Sequence, residues 1–371
     1  MCKEQHSLRQ IAASVIVVGL FLAFYSLRLN AETSHAGNFV YVMTNESPHN
    51  AVIQFLRAGN GSLMQVGKVP TGGSGTGATG IDPLASQDSL VLSGDGHLLL
   101  AVNAASNEIS VLAVQNDKLM WRDKVGSGGT FPNSVALSGD LVYVLNAQGT
   151  TPHINGFRLD PDGFLHSIPG AVVSLPAGST GANDIRFAED GSKLLVTVSA
   201  TNQVLVFEVG NNGIARAPMT QMSAGSSPFG IRFGHNGIAV VSEAAGSASS
   251  YYFNPADMLK VISGAVPDTQ MSSCWLSLDR SAGYAYVSNT GSGTISSYEI
   301  APDGDLKLAE AIAANTGGAP IDSSMSRDSK FIYILDSAGG QVLIFRVAGG
   351  SLIPAGSVAA LPASIQGIAA Q

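Results

Sequence analysis

A short pattern recurs along the chain, and this repetition constrains the fold more than any single residue does. The clearest copy, FPNSVALSGDLVYVLN at 131–146, contains an apolar strand, a tight turn at Gly139-Asp140 and a second strand. Related copies occur at 88–103, 183–199, 229–243, 274–289 and 321–336. Self-similarity at a fixed period is the signature of a repeat architecture.

The repeat length identifies the repeating unit. Counted from Thr44, the residues that end successive second strands lie 59, 43, 53, 44, 46 and 47 positions apart. A third strand follows each end, and turn residues such as Asn60-Gly61 lead into a fourth. A period in the mid-forties is typical of one four-stranded propeller blade.

The two ends of the repeat predict how the ring closes. The repeat begins with a copy of its second strand, Phe39–Thr44, which has no inner strand before it. It ends with a copy of its inner strand, Gln366–Gln371, which has no strand after it. Pairing these two strands would complete a seventh blade and remove the open edge. We therefore predict an all-β fold, a seven-bladed β-propeller of four-stranded antiparallel blades over residues 37–371.

Residues 1–36 differ in composition from the repeat. Lys3 and Arg9 precede an apolar run over residues 11–27, and Ser34 and Ala36 satisfy the small-residue rule of a cleavage site. We predict a signal peptide or an uncleaved signal anchor, and hence an exported protein that is periplasmic or extracellular. Contact with a membrane is expected only through an uncleaved residue 11–27 segment, and the propeller is expected to be a monomer.

Composition and motifs exclude several functions. The net charge is −8, and removal of residues 1–36, with three basic and two acidic residues, leaves −9. An acidic domain without a basic stripe does not suit nucleic acid. The seven histidines lack metal-ligand spacing, and no G-x-S-x-G or C-x-x-C-H motif occurs. We expect no metal and no cofactor, and we interpret Cys274 as a small core residue.

One segment interrupts the repeat. Residues 70–87, PTGGSGTGATGIDPLASQ, are rich in glycine and lengthen the first interval. Their glycine spacing approaches a dinucleotide-binding pattern, but no helix follows and no βαβ unit surrounds them. We predict a flexible surface loop here.

Polar residues mark one end of the predicted channel. Inner strands begin, and second strands end, at the same mouth, because the two are antiparallel neighbours. Twelve polar side chains are expected there, and they suit a polyhydroxylated or lactone-like ligand: Asp88, Asn133, Asn183, Asp184, Asp322 and Gln366 at strand starts, and Asn103, Asn146, Ser199, Glu243, Asn289 and Asp336 at strand ends. Asn and Asp at strand ends also cap turns, so a structural role is the alternative for each.

Three charged residues are candidates for catalysis. Glu243 is the only glutamate of this ring, which makes it a candidate general base, with a salt bridge as the alternative. Arg186 and Arg232 occupy the same position in neighbouring blades, within I-R-F in both. Together they could bind a carboxylate or polarise a lactone carbonyl, or they could bridge blades by pairing with Asp184 or Glu243.

Three phrases carry a resemblance to a known family: FPNSVALSGDLVYVLNA at 131–147, SPFGIRFGHNGIAVVSEAAG at 227–246 and NTGSGTISSYEIAPDGDL at 289–306. The chain resembles the seven-bladed propeller lactonases, which include 6-phosphogluconolactonase and carboxymuconate cyclase, and is most similar to an exported bacterial branch. The resemblance implies an active mouth with an Arg-His pair at an inner-strand start and a Glu at a second-strand end. Glu243 matches the Glu, whereas the Arg-His positions hold Phe229-Gly230 and Asn183-Asp184.

Two functions remain open at this point. The first is an exported lactonase, a carboxylic ester hydrolase, or a cycloisomerase-like enzyme, acting on a small lactone, a sugar-derived ligand or a carboxylated substrate. The second is a non-catalytic cell-envelope propeller that binds a glycan or a protein. The first is favoured if Glu243 and both arginines point into one solvent-filled channel, and the second is favoured if they are paired between blades.

Overall fold

The computed structural model describes residues 38–371. The predicted signal segment, residues 1–36, lies outside the described residues. Between residues 38 and 371, no helix has the length and apolar character needed to cross a membrane. The helical elements in this part of the chain are two 3₁₀ turns, Ser199–Thr201 and His235–Gly237.

The described residues form twenty-eight strands in seven antiparallel sheets of four strands each. Blade 1 contains β1 (Phe39–Met43), β2 (Ala51–Arg57) and β3 (Leu63–Pro70). Blade 2 contains β4 (Leu90–Leu92), β5 (Leu98–Asn103), β6 (Glu108–Gln115) and β7 (Lys118–Gly126). Blade 3 contains β8 (Thr130–Ser138), β9 (Leu141–Gln148), β10 (His153–Leu159) and β11 (Leu165–Ser174). Blade 4 contains β12 (Ala182–Phe187), β13 (Lys193–Val198), β14 (Gln203–Glu208) and β15 (Met219–Met222).

The remaining blades follow the same order. Blade 5 contains β16 (Pro228–Phe233), β17 (Ala239–Glu243), β18 (Ser247–Phe253) and β19 (Leu259–Pro267). Blade 6 contains β20 (Ser273–Leu278), β21 (Tyr284–Asn289), β22 (Thr294–Ile300) and β23 (Leu306–Asn315). Blade 7 contains β24 (Pro320–Met325), β25 (Phe331–Asp336), β26 (Gln341–Ala348) and β27 (Ser351–Val358), and β28 (Ile368–Ala370) completes blade 1.

The predicted ring closure is confirmed. β28 pairs antiparallel with β1, with Val40 opposite Ala370 and Val42 opposite Ile368. The inner strand of blade 1 thus comes from the C-terminus and its other three strands come from the N-terminal part of the propeller. The seven-bladed fold follows from the repeat as expected.

Blades pack on one another through their second strands, which are almost completely buried. In β9 the first six residues are buried, and Tyr143 lies among them. The Tyr143 hydroxyl donates to the Gly213 carbonyl at 2.8 Å and accepts from the Ala215 N–H at 2.8 Å, both in blade 4. Tyr333 forms a similar link, since its hydroxyl donates to the carbonyl of Gly61. Buried phenol groups with hydrogen-bond partners therefore lock the packing of neighbouring blades.

The inner strands share an irregularity near their starts. In five blades the pairing of the inner with the second strand shifts register there, as between Pro132 and Ser134 in β8 or Ala182 and Asp184 in β12. Such a bulge removes a residue from the ladder and re-aims its side chain. Asn133 and Asn183 are bulge residues of this kind.

Candidate functional site

The propeller channel has two mouths, which we name by the inner strands. The inner strands begin at the amino mouth and end at the carboxyl mouth. At the amino mouth, Pro228 pairs with Glu243 and Ser273 pairs with Asn289. The expected alignment of inner-strand starts with second-strand ends is therefore present. What occupies that mouth, however, was not expected.

The amino mouth is closed by residues 82–88, which we call the plug. The prediction of a flexible surface loop over residues 70–87 is wrong for the end of that segment, because Leu84, Ser86 and Gln87 are buried. Trp275 in blade 6 donates its indole N–H to the Ser86 carbonyl at 2.9 Å. The Gln87 amide donates to the Leu276 carbonyl at 2.8 Å and accepts from the Leu276 N–H at 3.0 Å.

The plug is also held from the other side of the channel, by residues predicted to bind a ligand. The Asn133 amide donates to the carbonyls of Ala182 at 2.9 Å and Leu84 at 3.4 Å. The Asn183 amide donates to the Ala85 carbonyl at 2.7 Å, and the Gln366 amide donates to the Ser86 carbonyl at 3.2 Å. In this structure these side chains at the amino mouth bind the protein's own backbone.

The residues that replace the Arg-His pair fit the plug. A methyl group on Gly230 would overlap the Gln87 side-chain oxygen, so only glycine leaves room for it. Phe229 packs edge-to-face on Trp275, with ring centroids 5.0 Å apart, and Asn183 holds the plug backbone. The departure from the family pattern therefore has a structural cause.

Glu243 is fully buried within blade 5 and is not among the residues that line the cavity described below, at the carboxyl mouth. Its Oε1 accepts from the Gly225 N–H at 2.7 Å, the Ser249 hydroxyl at 2.6 Å and the Ser223 hydroxyl at 3.1 Å. Its Oε2 accepts from the Ser247 hydroxyl at 2.5 Å. These four donors satisfy the carboxylate, and no cation pairs with it within residues 38–371, so the alternative of a salt bridge is absent there.

Three further strand-end residues also make local hydrogen bonds. Asp336 accepts from the Ala319 N–H at 2.9 Å and from the Gln341 amide at 2.8 Å. Asn146 donates to the Ser127 carbonyl at 3.3 Å, and Asn289 contacts the hydroxyl of Ser296 at 2.7 Å. Asp336 also accepts from the Gly339 N–H at 3.2 Å and so caps a turn, as the structural alternative expected.

The two arginines lie toward the carboxyl mouth, and they share one carboxylate. Arg232 binds Asp88 with two parallel bonds, at 2.8 and 2.9 Å. Arg186 donates a single bond to the same carboxylate at 2.9 Å. The expected proximity of Arg186 and Arg232 is present, but their partner is Asp88, with Asp184 3.8 Å from Arg232. Glu243 is not among their partners.

Buried carboxyl groups surround this arginine pair. Asp184 accepts from the Ile231 N–H at 2.8 Å, and Asp322 accepts from the Gly367 N–H at 3.1 Å, so each caps the inner strand of the next blade. Burial, with the nearby Asp88 charge, raises the pKa of Asp184 to about 7. The same causes raise the pKa of Asp322 well above its usual range. Burial therefore disfavours the charged form of both carboxyl groups.

A cavity of about 440 Å³ opens at the carboxyl mouth, and its base is formed by Asp88, Arg186 and Arg232. Its rim carries one charged or titratable side chain at the same turn position of four consecutive blades, just after each inner strand: Glu189, His235, Arg280 and Arg327. A cavity of this size can enclose a small ligand.

The rim arginines are fixed without neutralising partners. Arg280 donates to the Arg327 carbonyl at 3.0 Å, and Arg327 donates to the Gly94 carbonyl. Neither forms a salt bridge with a carboxylate between residues 38 and 371. Four of the nine arginines in that range line this one cavity. The arrangement favours an anionic ligand.

Two rim groups could take up a proton. No side-chain hydrogen bond within the described chain engages Glu189 or His235. By contrast, Asp279 at the same rim accepts from the Tyr284 N–H at 2.8 Å. Sequence reasoning missed Glu189, His235, Arg280 and Arg327, although their shared position in the repeat was a usable signal. In residues 38–371, no group of three or more His, Cys, Asp or Glu is arranged to hold a metal ion.

Comparison with known proteins places the chain among propellers. The family model described as "Lactonase, 7-bladed beta-propeller" matches residues 30–172 and 239–364. No curated protein sequence matches the chain.

Several solved structures have the same fold. A putative 6-phosphogluconolactonase from Bacteroides uniformis is 19% identical, with a TM-score of 0.68 over 89% of this chain and 99% of that chain. The periplasmic gluconolactonase of Pseudomonas aeruginosa is 17% identical, with a TM-score of 0.70 over 88% and 97%. Hydrazine synthase of Kuenenia stuttgartiensis is 13% identical, with a TM-score of 0.59 over 86% and 97%. At these identities the likeness shows the fold alone.

Proposed function

We propose, since this chain belongs to the family of seven-bladed β-propeller lactonases, that it hydrolyses a small lactone bearing an anionic group in the cavity at the carboxyl mouth. Family membership indicates lactone hydrolysis in general. The choice of mouth and the anionic group come from the geometry described above. Export remains a prediction from residues 1–36, and under it the substrate would be met outside the cytoplasm.

The observation that carries this proposal is that Arg186 is held by one hydrogen bond and is partly exposed to solvent. One of its N–H groups binds Asp88, and its other donors make no hydrogen bond within residues 38–371. Its side chain is 35% exposed, whereas that of Arg232 is 14% exposed. A cation fixed by a buried carboxylate, with free donors turned to solvent, suits a developing oxyanion.

The reaction needs a base near that cation. Glu189 or His235 would take a proton from water, the hydroxide oxygen would add to the lactone carbonyl carbon, and Arg186 would stabilise the negative oxygen. Collapse of the intermediate breaks the ring C–O bond, and the protonated base returns its proton to the leaving oxygen. The product is the open hydroxy acid.

The rim arginines supply the specificity in this proposal. Arg280 and Arg327 carry charges that no carboxylate neutralises within the described chain. A carboxylate or phosphate on the lactone would bind there, and planar guanidinium groups bind both well. Arg280→Gln should therefore raise KM for an anionic lactone and leave KM for a neutral lactone unchanged.

A second function is favoured by one observation, the closed amino mouth. Because the Arg-His pair is absent and the residues at its positions contact the plug, the cavity could bind an anionic glycan or an acidic protein segment without turnover. This non-catalytic reading predicts that binding of the anion persists when the Glu189 and His235 side chains are both removed.

A panel of sugar lactones, carboxylated lactones and acyl-homoserine lactones, followed by pH-stat titration, tests the proposal. Turnover of an anionic member is expected, with loss of kcat in Arg186→Met. Glu299→Gln is the matched control, since Glu299 is an exposed glutamate on β22. If no lactone in the panel is hydrolysed, the enzymatic proposal fails.

A further inference from the structure

Asp88 stands at the junction between the plug and the cavity. It is the last plug residue and precedes β4. Its side chain is 9% exposed, and its two oxygens together accept three bonds from Arg186 and Arg232. The same residue thus ends the segment that closes one mouth and binds the cations that line the other.

The backbone of Asp88 is held in an unusual conformation. Its φ is +59°, in the left-handed region that few non-glycine residues adopt. Neighbouring bonds fix it there: the Asp88 carbonyl accepts from the Val135 N–H at 3.0 Å, and the Gln87 N–H donates to the Asn183 carbonyl at 3.0 Å. Aspartate is among the residues that tolerate this region, and these bonds fix the backbone from which its side chain extends.

The contacts of Asp88 divide the two arginines into separate roles. Both terminal nitrogens of Arg232 are engaged by the carboxylate, and one of them also donates to the Ile231 carbonyl at 2.8 Å. Arg186 gives up only one donor. The carboxylate therefore immobilises Arg232, while it holds Arg186 with donors left for a ligand.

We propose that Asp88 is a positioning residue of this site, through which the plug sets the orientation of Arg186 toward the substrate. This inference rests on the proposed function, since it assigns Arg186 the oxyanion. Asp88 does not touch the reacting atoms. The plug, which appears in sequence as an insertion, is on this view part of how the site is built.

The test uses Asp88→Ala, Asp88→Asn and Asp82→Asn in the propeller with residues 1–36 removed. Asp88→Ala removes a carboxylate between two guanidinium groups, and a misplaced Arg186 should lower kcat by about 100-fold with a smaller change in KM. Formate, added at constant ionic strength, can enter the vacated position and should restore part of kcat in a saturable manner. Chloride should not.

The other variants separate positioning from closure of the mouth. Asp82 also lies in the plug, where it accepts from Gln366 at 3.1 Å and binds no arginine. Asp82→Asn should keep kcat within about twofold, because the Asp82 carboxylate accepts from Gln366 and contacts neither arginine. Asp88→Asn leaves no gap, so it should lose kcat without formate rescue. Equal losses for Asp82→Asn and Asp88→Ala, or no rescue of Asp88→Ala by formate, would overturn the proposal.

Failure of the proposed function has a different signature. If the wild-type protein hydrolyses no lactone, the thermal midpoint still reports on Asp88, because a ligand that binds only the folded state raises it. Formate should then raise the midpoint of Asp88→Ala and leave those of the wild type and Asp88→Asn unchanged. The absence of that difference counts against the role of Asp88. If Asp88→Ala does not fold, wild-type kcat in Asp88→Asn overturns the inference and a selective loss of kcat supports it.

Discussion

Replacing Glu243 is expected to lower the stability of the protein and to leave turnover per folded molecule unchanged. The carboxylate accepts four bonds of 2.5 to 3.1 Å and is shielded from solvent. Bonds to a charged acceptor contribute about 1.5–3 kcal/mol each, and neutral ones about 0.5–1.5 kcal/mol. The size of the loss therefore depends on how many of the four donors keep an acceptor.

Substitution by glutamine or by alanine leaves different numbers of these donors with an acceptor. In Glu243→Gln the amide oxygen can keep the three donors that share Oε1, and the relief of a buried charge offsets part of the weakening, so we expect a loss of about 1–2 kcal/mol. In Glu243→Ala all four acceptor contacts disappear and the Gly225 N–H is left unpaired, so we expect about 4–6 kcal/mol. With an unfolding entropy of about 0.7 kcal/mol/K for a domain of this size, the midpoint falls by about 2 K in Glu243→Gln and by about 6–9 K in Glu243→Ala.

Thermal melts followed by circular dichroism, together with kcat/KM at 25 °C, measure both quantities. Glu189→Gln is the matched variant, because Glu189 is exposed at the cavity rim and makes no side-chain hydrogen bond within residues 38–371. It should leave the midpoint unchanged, and it should lower kcat if Glu189 rather than His235 is the base. An inactive Glu243→Gln protein with an unchanged midpoint would refute this reasoning and restore Glu243 as the general base.

Three further results are expected. The pKa of Asp184 is raised to about 7 in the folded state, so the folded protein keeps a proton that the unfolded chain releases above about pH 4. The contribution of Asp184 to stability is therefore lost as pH rises toward 7. Thermal midpoints measured from pH 5 to 8 should fall, and they should fall less steeply in Asp184→Asn. Gly230→Ala should displace Gln87 and loosen the plug, which limited proteolysis within the exposed residues 77–81 would detect as faster cleavage; unchanged cleavage would contradict the tight fit. Tyr143→Phe removes both bonds to blade 4 and should cost about 2 kcal/mol, or about 3 K in the midpoint.

The fold was predictable because it depends on many weak signals that agree. Alternating apolar residues, hairpin turns and a constant period each indicated four-stranded blades, and the unpaired strands at the two ends required β28 to join β1. Such agreement survives errors of one or two residues at strand ends, as with β1, which was expected over Phe39–Thr44 and ends at Met43. The pairing that closes the ring needed no knowledge of any side chain.

The site was less predictable, since it depends on which side chains meet across the channel. Glu243 stood out because one blade differed from the others, but the cause of that difference lies inside the blade, where Ser223, Ser247 and Ser249 supply donors. The partner of Arg186 and Arg232 lies 98 and 144 residues away, at the end of a segment without repeat character. No local pattern relates Asp88 to either arginine.

The plug and the missing Arg-His pair are best explained as one exchange. A histidine at position 230 would occupy the space of the Gln87 side chain, and an arginine at position 183 would have to replace the hydrogen bond that Asn183 donates to the Ala85 carbonyl at 2.7 Å. In this chain, the residues at the positions of the pair are therefore ones that accommodate the plug. Since the plug also delivers Asp88 to Arg186 and Arg232, closing the amino mouth assembles the charges at the carboxyl mouth. Loss of the family signature at one end of the channel is thus consistent with a working site at the other, and the lactone panel with Arg186→Met tests this directly.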